Sequence, residues 1–256
     1  MNLHNNFKSN GFAIAENIFQ PEIIQTWIEE FDKIVIQLKE SGEDLNARWG
    51  SHLTKDIEPN NSEVIHTHNV QSFSALMLSM VQNKELLDLV ESLIGPDIIL
   101  HHTKLFLKPP NTGAAFPLHQ DWSYFPTENN SMIAAILHLS RSTEEMGCLR
   151  IIPESQKLGK KKNTNGHTRN LAIHKKHDLI NADPIVAGLG DLVFFHSYAL
   201  HGSMPNVSDK PRKTILLQFY SGKDKVLNTS EHTNVQLVLR GRNYFATRNS
   251  VSNIQS

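Results

Sequence analysis

The side chains best placed to do chemistry in this 256-residue chain are a histidine and an aspartate separated by one residue, His119 and Asp121. Extended backbone projects residues two apart from the same face, so the imidazole and the carboxylate would converge on one point. Such a pair is typical of a metal site, but two protein ligands are too few for tight binding. A third ligand must come from elsewhere, and the segment 191–202 offers two candidates, His196 and His201.

An arginine eleven residues after His201 indicates what else the site binds. Its strand should alternate, with Ile215, Leu217 and Phe219 on one face and Arg212, Thr214, Leu216, Gln218 and Tyr220 on the other. A guanidinium buried on that more polar face needs a carboxylate partner, such as a co-substrate. Lys213 falls on the apolar face and lacks the bidentate fork, so Arg212 is the better anchor.

Two histidines and one carboxylate leave three coordination positions open, which is the arrangement of non-haem Fe(II) oxygenases. Zinc hydrolases use similar ligands, but a hydrolase needs a base near its metal-bound water rather than a second anchor for a dicarboxylate. The residues therefore favour iron and an oxygenase. The alternatives are a cupin-like metal hydrolase or isomerase and a catalytically silent jelly-roll binding protein.

The elements that must position these residues change character along the chain. Up to about residue 96 the pattern is helical: Pro21 opens a helix with apolar residues at helical spacing, and a second helix runs from about Asn83 to Gly95. From Asp97 onward, short runs separated by turn residues predict strands at 98–108, 132–139, 149–152, 192–195 and 214–221. This pattern favours a mainly β fold with flanking helices, whose core is a double-stranded β-helix (jelly roll, cupin-like).

Several motifs recur in a family order: Leu107-Lys108-Pro109-Pro110, Pro117 to Asp121 with Tyr124-Phe125-Pro126, Gly147-Cys148-Leu149, and Gly190-Asp191 through Phe194-Phe195-His196 to His201-Gly202-Ser203. Through them, roughly Val70 to Gly222 resembles the phytanoyl-CoA dioxygenase (PhyH) family of Fe(II)- and 2-oxoglutarate-dependent oxygenases. The resemblance implies hydroxylation, or another oxidation, of a C–H bond of a small-molecule metabolite, with release of succinate and CO2. Its cofactor would be Fe(II), with 2-oxoglutarate and O2 as co-substrates.

The resemblance also assigns residues. It implies His119, Asp121 and His201 as the iron ligands, with Arg212 and Ser203 holding the distal carboxylate of 2-oxoglutarate. Further co-substrate contacts would fall at Asn69, Lys104 and Leu137. Related halogenases carry a small residue at the position of Asp121, so a carboxylate there favours hydroxylation. His196 directly follows a strand and lacks the spacing to Arg212, so we interpret it as structural.

Other polar residues have weaker interpretations. We expect His101, His102, His174 and His177 to be surface or strand polar residues, and Trp122 and Tyr124 to line either the substrate pocket or the core. The segment 153–184, with Lys160, Lys161 and Lys162, is either a solvated loop or a lid that attracts an anionic substrate. It begins at Pro153-Glu154-Ser155-Gln156, where the family often has Pro-Gly-Ser-His, and Glu154 cannot adopt positive φ as cheaply as glycine.

Composition sets the remaining expectations. We expect a single domain over 1–256, with a helical part at about 1–96, a jelly-roll core at about 97–222 and a C-terminal extension at 223–256. Lys plus Arg (25) nearly balance Asp plus Glu (26), so we expect a small-molecule partner rather than nucleic acid or membrane. Cys148 is the only cysteine, which favours a cytoplasmic protein. Oligomeric state cannot be predicted from these features.

Overall fold

The computed structural model describes residues 3–46, 48, 51–161, 176–227 and 232–252, and these are rich in short strands. The strands are β1 (Phe12–Ala15), β2 (Ile65–His68), β3 (Ile98–Lys108), β4 (Phe116–His119), β5 (Ile133–His138), β6 (Leu149–Ile151), β7 (Asp183–Ile185), β8 (Leu192–His196), β9 (His201–Ser203), β10 (Arg212–Ser221) and β11 (Leu237–Arg240). All five runs predicted as strands form them, with ends within two residues of the predicted ones.

Two antiparallel sheets face each other. The larger sheet has seven strands in the order β1-β8-β5-β10-β3-β11, with β2 also paired to β3, and the smaller has the order β4-β9-β6-β7. Apolar residues from both sheets meet between them, including Ile136 and Phe195 of the larger sheet and Leu149 and Ile151 of the smaller. This two-sheet arrangement confirms the predicted mainly β, jelly-roll class.

The described residues form six α-helices, most of which pack on the outer face of the larger sheet. They are α1 (Leu3–Asn10), α2 (Pro21–Glu40), α3 (Ser51–Thr54), α4 (Ala75–Val81), α5 (Lys84–Ile94) and, near the C-terminus, α6 (Arg248–Ser252). Trp27 and Phe31 of α2 pack in the same core as Ile215 and Leu217 of β10. The period-two alternation predicted for β10 is therefore confirmed, since its apolar face meets the helices.

Sequence signals located the two main helices well. Pro21 occupies the first turn of α2, where a missing N–H costs nothing. The Asn83 side chain caps α5 by accepting a hydrogen bond of 3.0 Å from the Leu86 amide, and Gly95 ends the helix at φ 90°. None of the described helices is both long and apolar enough to cross a membrane.

Two parts of the chain outside the predicted core also supply strands. The first 96 residues contribute β1, which pairs with β8, and β2, which pairs with β3. In the C-terminal extension, β11 pairs with β3 as well. These strands have four residues each, too few to give a strong alternation in sequence.

Candidate active site

Three potential metal ligands lie together at the edge of the smaller sheet. His119 ends β4 and pairs directly with His201, which begins β9. Asp121 follows one extended residue later, and its Oδ1 lies 3.6 Å from His119 Nε2 and 3.5 Å from His201 Nε2. One ligand atom from each residue lies within 4.8 Å of the other two, which fits a single metal ion.

Backbone carbonyls orient both imidazoles. Nδ1 of His119 lies 2.9 Å from the Pro117 oxygen, and Nδ1 of His201 lies 3.0 Å from the Ala199 oxygen. A carbonyl oxygen can only accept a hydrogen bond, so each Nδ1 carries the hydrogen and each Nε2 is the nitrogen left to face a metal. From the opposite sheet, Gln218 Nε2 donates a 2.6 Å hydrogen bond to Asp121 Oδ2.

The electrostatics of the cluster suit metal binding at neutral pH. Burial lowers the pKa of His201 to about 4, with a further contribution from His119 and partial opposition from Asp121. Burial alone would raise the pKa of Asp121, but His201, His119 and the Gln218 hydrogen bond outweigh it and hold that pKa below its usual value. His201 is therefore neutral and Asp121 ionised, the forms that coordinate metals.

Two cations lie at the deep end of the same cavity. Arg212 of β10 and Lys108 of β3 are paired across the two strands and are 6% and 1% exposed. One Arg212 amino group donates to the Gly147 carbonyl at 2.7 Å, whereas its buried Nε has no partner. Lys108 Nζ donates to Ser203 Oγ at 2.7 Å and to the Met204 carbonyl at 2.6 Å.

Neither cation forms an ion pair with a carboxylate of the described residues. Burial lowers the pKa of Arg212 to about 10, which leaves it charged at neutral pH. Burial and the neighbouring Arg212 charge lower the pKa of Lys108 well below its usual value. A buried, uncompensated cation is costly, so this end of the cavity is suited to receive an anion.

The cavity that joins these groups has a volume of about 290 Å³. It is lined by His66, His68, Lys104, Phe106, Lys108, Phe116, His119, Asp121, Tyr124, Phe125, Ile136, Leu149, Phe195, His201, Gly202, Ser203, Arg212, Thr214, Leu216 and His232. Polar residues thus sit at both ends, and apolar side chains fill the walls between them.

Comparison with known proteins identifies the family. The phytanoyl-CoA dioxygenase (PhyH) family profile matches residues 7–214, most of the chain. The chain belongs to this family. The peroxisomal phytanoyl-CoA dioxygenase of Homo sapiens is 28% identical over 265 residues, which cover 96% of this chain and 77% of that protein. A probable alpha-ketoglutarate-dependent hypophosphite dioxygenase of Stutzerimonas stutzeri is 24% identical over 224 residues, covering 83% and 76%.

Solved structures give the same fold. The epimerase SnoN, crystallised with Fe3+, alpha-ketoglutarate and nogalamycin RO, superposes with a TM-score of 0.72 at 16% identity, covering 93% of this chain and 97% of SnoN. Membership in the PhyH family makes the chain an Fe(II)- and 2-oxoglutarate-dependent oxygenase, as the sequence predicted. The donor set fits this cofactor because it combines two imidazoles with one carboxylate.

Three further co-substrate contacts were predicted from the PhyH resemblance. The structure places one of them in the cavity and the other two elsewhere. Lys104 lines the cavity, where burial lowers its pKa to about 8 and the charge of Asp121 opposes that shift. Asn69 does not line the cavity, and its backbone N–H donates to the Thr103 carbonyl at 2.7 Å. Leu137 packs in the core on the helix side of the larger sheet, and its neighbour Ile136 faces the cavity instead. An assignment shifted by one residue in a strand falls on the wrong face.

The structure also shows where the other histidines and aromatic residues considered in the sequence lie relative to the metal cluster and the cavity. His201 begins strand β9. His196 lies outside the metal cluster, and its Nδ1 accepts a hydrogen bond of 2.9 Å from the Tyr198 amide. His101 and His102 are strand residues, but they are fully buried rather than at the surface. Tyr124 lines the cavity, whereas Trp122 packs near Tyr198 instead.

The start of the segment 153–184 is anchored beside the metal ligands. Glu154 adopts the left-handed conformation, at φ 64°, that glycine would adopt at lower cost. The Lys161 amide donates to Gln120 Oε1 at 2.8 Å, and Lys160 Nζ lies 5.2 Å from the Trp122 ring centre. Lys162 and His174 lie outside the described residues, so the two interpretations of this segment stay open.

Sequence reasoning missed the roles of several residues in and around the site. Gln218 was placed on the correct face of β10, yet its contact with Asp121 spans two sheets and has no local signal. Lys108 appeared only as part of a motif, because a lysine before two prolines resembles a surface turn. His66 and His68 share one strand face, and that two-residue spacing was the only available clue to their common direction.

Proposed function

We propose that His119, Asp121 and His201 hold the Fe(II) ion and that Arg212 and Ser203 hold the distal carboxylate of 2-oxoglutarate. One observation carries this assignment: three convergent ligand atoms and a buried guanidinium with an unpaired Nε lie on the same cavity. Ser203 follows His201 on β9, so its hydroxyl and the imidazole project from the same strand face.

When bound, Fe(II) with 2-oxoglutarate and dioxygen supplies the oxidation of a substrate C–H bond, with succinate and CO2 as co-products. The chain itself binds and orients. Gln218 fixes one carboxylate oxygen of Asp121 and leaves the other facing the two imidazoles. Lys108 is a positioning residue, because it holds the Ser203 hydroxyl beside Arg212. Phe116, Phe125 and Phe195 line the walls and exclude water.

We also propose that residues 1–256 form one catalytic domain for a small-molecule metabolite. Pairing of β1, β2 and β11 with the larger sheet supports the single domain. The cavity volume and the near-neutral net charge of −1 support a small-molecule partner rather than nucleic acid or membrane. The buried free thiol of Cys148 supports a cytoplasmic location.

Succinate release from 2-oxoglutarate, measured across a panel of metabolites, tests this function. Wild-type protein with Fe(II) should release succinate with its substrate, and Arg212→Ala should need at least about tenfold more 2-oxoglutarate. Lys213→Ala is the matched control, since Lys213 pairs with Asp32 on the outer face of the same strand. Binding of 2-oxoglutarate without succinate from any metabolite would indicate a catalytically silent binding protein, and turnover without oxygen would indicate a hydrolase or isomerase.

A further inference from the structure

A group of histidines surrounds Lys104 at the outer end of the cavity. His66 and His68 alternate on β2 and pair with Phe106 and Lys104 of β3, so all four side chains lie on the cavity side. The ring centres of His66 and His68 are 4.5 Å apart, and the His66 ring stacks on Phe106 at 5.0 Å. The edge strand β2 thus brings two imidazoles beside the lysine.

The C-terminal extension adds a third imidazole. The ring of His232 lies 5.0 Å from that of His68, 5.5 Å from that of His102 and 5.1 Å from that of Phe125. His232, His66, His68 and Lys104 all line the cavity, and we call these four residues the outer polar group. It is assembled from three segments that are distant in sequence.

Three members of the outer polar group, Lys104, His66 and His68, have unused hydrogen-bonding capacity. Among the described residues, Lys104 Nζ makes no hydrogen bond or ion pair, and it lies 5.3 Å from the Phe125 ring centre. The ring nitrogens of His66 and His68 likewise have no hydrogen-bond partner there. Burial, together with neighbouring positive groups, lowers the pKa of His66 to about 3 and of His68 to about 4. Each ring is thus neutral and offers one N–H donor.

The outer polar group does not resemble a second metal site. Among the described residues, the nitrogen and carboxylate atoms gather closely enough for an ion only at His119, Asp121 and His201. The ammonium group of Lys104 would also repel a cation. One ammonium group with two neutral N–H donors instead matches an oxyanion, whose oxygens accept hydrogen bonds and whose charge the lysine balances.

The outer polar group is distinct from the 2-oxoglutarate anchor. Lys104 pairs with Leu216, whereas Lys108 pairs with Arg212, four residues further along both strands. That offset corresponds to about 13 Å at the strand rise. Asp121 is close enough to influence the pKa of Lys104, so the outer polar group lies near the metal ligands. A ligand held there would present its neighbouring carbon atoms to the metal.

We infer that the outer polar group binds an oxyanion of the primary substrate, a phosphate, phosphonate or carboxylate attached to the carbon skeleton that is oxidised. This inference rests on the proposed function of the metal centre and adds the substrate class. Lys104 then serves the primary substrate rather than 2-oxoglutarate.

Sulfate and acetate are suitable probes, because both are oxyanions and both bind metals weakly. Calorimetric titration of each into anaerobic protein, saturated with Fe(II) and 2-oxoglutarate, should show saturable binding of at least one. Lys104→Met should weaken that binding at least tenfold while keeping the visible absorption band of the Fe(II)–2-oxoglutarate complex. Lys223→Met is the matched control, since Lys223 also lies over an aromatic ring, Tyr244, but on the surface, and it should bind like the wild type.

A second variant keeps the inference testable if Lys104→Met does not fold. His68→Phe keeps an aromatic ring in the wall but removes its N–H donor, and it should also weaken oxyanion binding. If the wild-type protein shows the absorption band but binds neither oxyanion saturably, the inference is overturned and the proposed function is not. Loss of the band in Lys104→Met would assign Lys104 to 2-oxoglutarate and overturn it too. Absence of the band in wild type would instead contradict the proposed function.

Discussion

The two ends of the cavity are both cationic, but they are built differently. At the deep end, Arg212 and Lys108 lie on the long central strands β10 and β3, and protein oxygens already fix part of each side chain. At the outer end, His66 and His68 lie on a four-residue edge strand and His232 lies in the C-terminal extension. In our proposal, the long central strands hold 2-oxoglutarate and the peripheral segments recognise the primary substrate.

This difference indicates where substrate specificity can change while the oxidation reaction is kept. Strand β10 is paired with β3 along its length and with β5 from Thr214 to Phe219, so most of its inward side chains are held on two sides. Strand β2 pairs with β3 alone in the larger sheet. Substitutions in β2 should therefore alter substrate preference at less cost to the metal centre than substitutions in β10.

Among changes that test this comparison, we expect the largest effect from a substitution of Gln218. Gln218→Leu removes the 2.6 Å hydrogen bond to Asp121, so the carboxylate loses its fixed orientation. We expect Fe(II) affinity to fall by about 10- to 100-fold, measured by anaerobic equilibrium dialysis. Gln236→Leu, at a glutamine that bonds the Ser250 carbonyl instead, is the control. Unchanged iron affinity in Gln218→Leu would show that Asp121 is held without help from the opposite sheet.

Lys108→Met tests whether the deep end is prepared for an anion. Removing a buried cation beside Arg212 should raise the free energy of unfolding of the ligand-free protein by about 1 kcal/mol. The same change should weaken 2-oxoglutarate binding by about tenfold, since Ser203 loses its donor and the site loses charge. Urea unfolding and a 2-oxoglutarate titration measure the two quantities, with Lys213→Met as control. A destabilised variant with wild-type 2-oxoglutarate affinity would make Lys108 a purely structural lysine.

The smallest expected effect is a pH dependence of stability, to which a histidine at each end of the cavity contributes. Burial, with help from Arg212, lowers the pKa of His138 beside the deep end to about 3, and burial with nearby imidazoles and Lys104 does the same for His66 at the outer end. An unfolded histidine titrates near pH 6.5, so the unfolded chain binds more protons below that value. Stability is therefore complete above about pH 6.5 and falls as the pH drops toward the folded pKa.

Urea unfolding of the metal-free protein between pH 7.5 and 5 measures this slope. Each fully buried histidine contributes up to about 1.4 kcal/mol per pH unit. His138→Leu and His66→Leu should each flatten the slope by a similar amount, because both folded pKa values lie near 3 and both histidines stay neutral across this range. Equal slopes in all three proteins would show that neither histidine stays neutral in the fold.

The sequence predicted the strand that carries the site better than the cavity around it. In β10, strict alternation separated Arg212, Thr214 and Leu216 from Ile215 and Leu217, because each face meets a different environment. Capping by Asn83 and the stop at Gly95 located α5 for equally local reasons.

What the sequence could not show depends on contacts between distant segments. The pairing of Lys108 with Arg212 requires the register of β3 on β10, and the approach of His232 to His68 requires the path of the C-terminal extension. Leu137 was chosen where Ile136 faces the cavity, since a resemblance fixes a position less finely than the one-residue alternation of a strand.

The most direct test of the central claim is anaerobic addition of Fe(II) and 2-oxoglutarate to the wild-type protein and to two histidine variants. A visible charge-transfer band that fades when air is admitted should form in wild type and in His196→Ala, because His196 lies outside the metal cluster. His201→Ala should show no band. A band that survives in His201→Ala but is lost in His196→Ala would contradict the assignment of the metal centre.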